Sequence, residues 1–120
     1  MYVNQETATV KEMNMVIYEF DHGEKKTFNV DDNDLLSAYE NTFYATCGYD
    51  RSWDRLMPVV LKLIGRSNFF LHHSDYIGYR SDFDYEAGIG EDTVISGFGY
   101  NNDPLKAVYY AVYDSIKKMQ

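Results

Sequence analysis

A chain of 120 residues is long enough for one domain and too short for two. Hydrophobic residues at 45% and aromatics at 17% supply a packed core and exclude wholesale disorder. The formal net charge of −8 argues against direct contact with a phosphate backbone, which requires clustered Lys and Arg.

No apolar run approaches the roughly 20 residues that span a bilayer. The opening "MYVNQETATV" has neither the basic nor the apolar region of a secretion signal. Cys47 is alone, which rules out an internal disulfide and suits a reducing cytoplasm.

The first predicted helix starts at "TVKE". Thr9 is placed to cap it, and Glu12 completes a capping box. Val10, Met13, Ile17 and Phe20 recur at helical spacing until Gly23 offers a left-handed stop. "KTFNV" (26–30) alternates and reads as a strand. "LLSAYENTFYATC" reads as a loop with a strand-like patch from Thr42 to Thr46.

In "GYDRSWDRLMPVVLKLIG", Ser52 is an N-cap candidate, Trp53 to Ile64 form a second helix and Gly65 stops it. Leu56, Val59, Val60 and Leu63 make its apolar stripe. Pro58 removes a donor past the first turn, so a distorted start without a break is expected.

"NFFLHH" (68–73) and "YIGYR" (76–80), separated by Ser74 and Asp75, suit a hairpin. Residues 81–92, "SDFDYEAGIGED", read as a long mobile loop. "TVISGFGY" (93–100) reads as a strand that Gly97 and Gly99 weaken or mark with a bulge. The third helix begins with Asp103 as N-cap and Pro104 at the first helical position, where proline loses no hydrogen bond. Leu105, Val108, Val112 and Ile116 form its stripe, with Tyr109 and Tyr113 at the flanks and Lys117 and Lys118 at the negative end of the helix dipole. The expected fold is α+β, a single domain over residues 1–120, with three helices packed on a small, mainly antiparallel sheet of three to five strands.

No motif assigns catalytic, cofactor-binding or metal-binding residues. His72 and His73 are adjacent in a strand and point to opposite faces, so they cannot converge on one ion. An EF-hand counted from Asp82 fails at position 6 (Ala87) and position 12 (Thr93). The glycines at 88, 90, 97 and 99 make no phosphate-binding fingerprint, and nothing in the sequence ties Cys47 to a base.

Charge is uneven. From Ser74 to Asp103 seven acids face Arg80 alone, whereas Arg51, Arg55, Lys62 and Arg66 face only Asp54. Tyrosines interleave with the acids, and tyrosine is large and stiff enough to anchor an interface. Tyr76, Tyr79, Asp82, Asp84, Tyr85 and Glu86 are therefore the candidate protein-contact surface.

Two segments resemble a family of small uncharacterised proteins from gut-bacterial genomes and their mobile elements. Ser52, Trp53, Asp54, Leu56, Met57, Pro58, Val59, Val60, Lys62 and Ile64 match an "SWDWLMPVVEKIE"-like stretch. Ala107, Val108, Tyr109, Ala111, Val112 and Ile116 match a "KIEAVYNAVIEFIKWY"-like terminal helix. "EMNMVIYEF" looks like the family's amino-terminal "IAEFMG" helix. The pattern is also similar to the phage ABA sandwich domain, in which a "DW"-containing helix and a terminal helix flank a small sheet. The resemblance implies that fold and a mobile-element setting, with no established activity. It also implies that Ser52, Trp53 and Pro58 form a structural entry to the second helix, with Trp53 packed on the sheet or under a loop. Arg55 stands where the family has a second aromatic.

The expected role is a cytoplasmic, phage-derived or mobile-element accessory that binds a protein, with no cofactor, no direct nucleic-acid contact and no membrane. One alternative is an acidic DNA-mimic inhibitor, which needs Asp82, Asp84 and Glu86 presented together on one face. Another is a small-molecule-binding protein or minor hydrolase, which needs a pocket lined by several polar groups.

Overall fold

The computed structural model describes residues 9–64, 67–73, 84–91 and 94–119. They form four helices and one three-stranded antiparallel sheet, in the order α1 (Val10–His22), α2 (Asn33–Ala45), α3 (Trp53–Ile64), β1 (Ser67–His73), β2 (Tyr85–Glu91), β3 (Val94–Asn101) and α4 (Pro104–Met119). The class is α+β as expected, with one helix more than the three predicted.

α1 begins and ends where its signals lie. The Thr9 hydroxyl accepts from the Glu12 N–H at 3.1 Å, and Gly23 closes the helix at φ 79° by donating to the Glu19 carbonyl. The additional helix, α2, replaces the expected loop. Asp32 caps it by accepting from the N–H groups of Asp34 and Leu35. Only Tyr44 of α2 is buried, so the helix lacks the apolar stripe by which sequence periodicity would reveal it. "KTFNV" forms no strand. Val30 N–H turns back to the Phe28 carbonyl at 3.0 Å, and the Phe28 ring packs edge-on against Phe43 of α2.

α3 runs unbroken through Pro58. The Asp54 carbonyl that proline leaves without a donor sits on the exposed side, within reach of water. Leu56, Val59 and Val60 are buried beneath it. Trp53 is not covered as expected; it remains 39% exposed in the first turn. The predicted stop at Gly65 lies outside the described residues.

The strand order is β1-β2-β3, with Phe69 opposite Ile89, His72 opposite Glu86 and Ala87 opposite Gly99. β2 overturns the long loop expected over 81–92, because Tyr85–Glu91 is regular strand. Its alternation hid behind small residues: Tyr85, Ala87 and Ile89 pack into the core, while Glu86, Gly88 and Gly90 take the other face. "YIGYR", the expected partner of β1, lies outside the described residues; the described partner of β1 is β2. β3 bulges beside Gly97, since Ile89 pairs with Gly97 but Gly90 with Ile95, whereas Gly99 stays in register opposite Ala87.

α4 lies on β2 and β3 and is buried on nearly every side. Ala107, Ala111 and Ser115 recur every four residues and approach Gly97 and Gly99 of β3. The opposite side, with Val108, Tyr109 and Val112, joins Met13 and Ile17 of α1 and Leu56, Val59 and Val60 of α3 in one core. Each aliphatic side chain so buried contributes roughly 1.5–3 kcal/mol. Tyr109, expected at a flank, is fully buried at the centre.

β3 is an edge strand, and α4 covers part of its edge. The buried Asp114 carboxylate accepts from Phe98 N–H at 3.0 Å and pairs with Lys118 at 3.0 Å. Asp114→Ala is expected to cost about 2–3 kcal/mol in chemical denaturation, since it leaves a strand N–H under the helix without its acceptor. A loss below roughly 0.5 kcal/mol would show that this bond does not hold helix to strand. Among the described residues no helix is long and apolar enough to cross a membrane.

Candidate functional site

The six residues singled out for protein contact do not form one exposed acidic surface. Asp84 is exposed, and its N–H is held by the Asn102 side chain at 3.0 Å. Tyr85 is half-buried against the core, with His73 edge-on at 5.1 Å. Glu86 is 4% exposed, its carboxylate 3.4 Å from His72 Nε2 across the β1–β2 pair. Tyr76, Tyr79 and Asp82 lie outside the described residues. A DNA-mimic face that relies on Glu86 lacks one of its three carboxylates at the surface.

A different concavity opens where α1 and α2 end and α3 begins. It encloses about 310 Å³ and is lined by Tyr18 and His22 of α1, Phe43 of α2, Thr46, Cys47 and Tyr49 of the connection, and Arg55 of α3. Local backbone chemistry builds it. Thr46 terminates α2 by donating its hydroxyl to the carbonyls of Thr42 and Phe43. Gly48, at φ 83°, reverses the chain, and the turn closes with Arg51 N–H on the Gly48 carbonyl. Ser52 then receives the first N–H groups of α3.

The walls are aromatic. Tyr18 stacks on His22 with centroids 3.9 Å apart and meets Phe43 nearly perpendicular at 5.2 Å. His22 Nδ1 lies 3.2 Å from the Tyr18 carbonyl, which can only accept, so the hydrogen resides on Nδ1. The Tyr49 hydroxyl donates to Asp21 at 3.0 Å. Burial, reinforced by that bond and the Asp21 charge, pushes Tyr49 ionisation upward and keeps the phenol neutral.

Cys47 donates its thiol to the Phe43 carbonyl at 3.5 Å. Burial raises its pKa, Arg55 opposes and Asp50 assists; the net direction is up. A thiol held protonated is a poor nucleophile at neutral pH.

Although acids outnumber bases 19 to 11 in the whole chain, the lining contains no carboxylate. No hydrogen bond or ion pair joins the Arg55 guanidinium to another described residue. Its neighbours are engaged: Arg51 donates to the Ala45 carbonyl at 2.7 Å, and Lys62 bonds Asp21. Among the described residues, the one permanent cation in the lining thus has no counter-charge bound to it.

Comparison with family models, curated proteins and solved structures returned no match. The site therefore stands on its own chemistry. Among the described residues no group of three or more His, Cys, Asp or Glu side chains could hold a metal ion. Sequence reasoning did not assemble the cleft, because its lining is drawn from residues 18 to 55 and meets only when three helix ends converge. One signal was present: Arg55 lies in the stretch from Arg51 to Arg66 where the local charge turns positive, and it lines this cleft.

Asp21 fastens the cleft from behind by accepting from Tyr49 of the connection and Lys62 of α3. Burial raises its pKa, but the hydrogen bonds from Lys62 and Tyr49 and the Lys62 charge outweigh that and lower it overall. A lowered folded-state pKa stabilises above the unfolded value, near 3.9, and that contribution vanishes as pH falls through the folded value. Asp21→Asn should flatten the acid limb of the stability–pH curve below about pH 4. An unchanged limb would show that Asp21 does not couple α1 to α3.

Proposed function

We propose that this chain acts by binding, and that its ligand is a small molecule held in the cleft between α1, α2 and α3. The observation that carries this reading is an aromatic-walled concavity of about 310 Å³ whose lining has no carboxylate and includes a guanidinium with no partner among the described residues. That volume falls at the small end of ligand sites, which run from roughly 300 to 1,000 Å³. The protonated Cys47 suits holding a ligand better than attacking it.

The setting we propose is a cytoplasmic accessory of phage or mobile-element origin, on the strength of the Trp53–Pro58 segment and the terminal helix. The likeness to the phage ABA sandwich belongs to the same proposal. It is supported by the Trp53 helix and the terminal helix, which both pack against the sheet.

The test is amide NMR with a library of small aromatic fragments. Shifts concentrated at Tyr18, His22, residues 43–49 and Arg55 are expected. Shifts clustered elsewhere, or none, would overturn the reading.

A second reading, binding of a protein partner, is favoured by α2. Leu35 and Tyr39 lie one turn apart on this helix and are 52% and 49% exposed. A stoichiometric partner that is lost on Leu35→Ala with Tyr39→Ala is its expected result. A partner retained by that double variant would remove α2 from consideration.

A further inference from the structure

We infer that the cleft selects a planar aromatic monocarboxylate, with its acid group on Arg55 and its ring against the Tyr18–His22 stack. This inference rests on the cleft being the binding site and adds the ligand's chemical class.

Three observations carry it. First, the lining is electrostatically one-sided. Arg55 contributes a fixed positive charge, and no lining residue is acidic in a chain of net charge −8. The nearest acid on the α1 side, Asp21, lies 3.8 Å from His22 Nδ1, outside the lining, and accepts from Lys62 and Tyr49, so its charge is countered in place. On the other side Asp50 is 6% exposed, with Lys106 and Arg51 beside it at 4.0 and 3.7 Å.

Second, the Arg55 guanidinium has no partner among the described residues, while a Cβ at Gly48 would meet its stem at 3.4 Å. A planar fork of donors matches a carboxylate bidentately, a geometry that a lone ammonium cannot supply. A single such fork suits one carboxylate better than a polyphosphate, which recruits several cations or a helix N-terminus.

Third, the aromatic walls are arranged to hold a flat ring. Tyr18 and His22 are within 21° of parallel, and Phe43 stands at 81° to Tyr18. The walls thus already carry a stacked and a perpendicular contact, the two favoured aromatic geometries. Thr46 and the Cys47 thiol add small polar groups at the rim.

The experiment titrates the protein with naphthoate, its neutral amide naphthamide, and naphthylmethylammonium, following amide shifts of the cleft residues. Naphthoate is expected to bind roughly ten-fold more tightly than naphthamide, the difference expected of a charge-assisted bidentate pair over a neutral one, with the ammonium weakest. Arg55→Met should erase the preference for naphthoate by weakening the acid more than the amide; Arg55→Lys should restore part of it. Arg55 is exposed in the first turn of α3, so these variants are expected to fold. If acid and amide bind the cleft equally, or the ammonium binds best, the carboxylate class is wrong and the cleft reading stands. If none of the three perturbs the cleft, the cleft reading falls with it.

Discussion

A Gly99→Ala variant is expected to lose at least ~3 kcal/mol of stability, above the usual range for overpacking. That is a large share of the 5–15 kcal/mol typical of a whole domain. A Cβ at this position would overlap the Ala107 carbonyl oxygen and come within 2.5 Å of the Ala111 nitrogen. Both atoms belong to the backbone of α4, so no side-chain rotation relieves the clash; the helix must lift off the strand. Lifting it would press Val108, Val112 and Tyr109 on its far side into α1 and α3, because α4 is packed between the sheet and the other helices. Gly97→Ala should act in the same direction, with the added carbon 2.6 Å from Ser115 Cβ and 2.7 Å from the Ala111 carbonyl. Gly23→Ala is the contrasting case. Nothing lies within 4 Å of a Cβ there, and only the positive φ is strained, for about 1–2 kcal/mol. Chemical denaturation of the three variants separates close approach from backbone strain. A Gly99→Ala protein as stable as Gly23→Ala would mean that α4 does not rest on β3 in this way.

The elements readable from the sequence were those whose ends and faces are both marked. α4 had Asp103, Pro104 and an aliphatic stripe, and α1 had Thr9, Glu12 and Gly23; their caps form as the residue types require. α2 had only the cap. Asp32 was visible, but a helix that buries a single side chain has no periodic signature to follow it. β2 was concealed for the converse reason. Its core-facing residues Ala87 and Ile89 alternate with two glycines and a glutamate, and an acid-rich, glycine-rich stretch imitates a loop. Glu86 shows the consequence for function, since a residue taken as surface charge proves to be buried opposite His72. The cleft was illegible as a unit because no short segment contains it. What the sequence did mark was a local excess of positive charge around Arg55, which becomes meaningful only once the α1 and α2 ends are beside it.

Asn14→Leu is expected to cost about 3 kcal/mol, and to do so by releasing α2 before the rest of the molecule. Asn14 is fully buried between three helices. Its amide donates to the Tyr44 carbonyl of α2 at 2.7 Å, and its oxygen accepts from the Tyr109 hydroxyl of α4 at 2.8 Å. Leucine keeps the volume but removes both bonds. The Tyr109 hydroxyl would fall back on the Val10 carbonyl at 3.5 Å, a marginal distance. It cannot escape by ionising, because burial pushes its pKa far above the usual tyrosine range. Tyr109→Phe breaks one bond of the two and should cost about 1–2 kcal/mol; the double variant should cost less than the sum, since both changes delete the same contact. α2 touches little besides α1, and an isolated helix of 13 residues is marginal in water. Amide exchange across Asn33–Ala45 should therefore accelerate in Asn14→Leu while α4 stays protected. Phe43 and Thr46 of the cleft belong to the end of α2 that Asn14 holds, so the same variant should weaken naphthoate binding without touching the lining. Uniform acceleration of exchange in α2 and α4 alike would show instead that the buried amide supports the whole core equally.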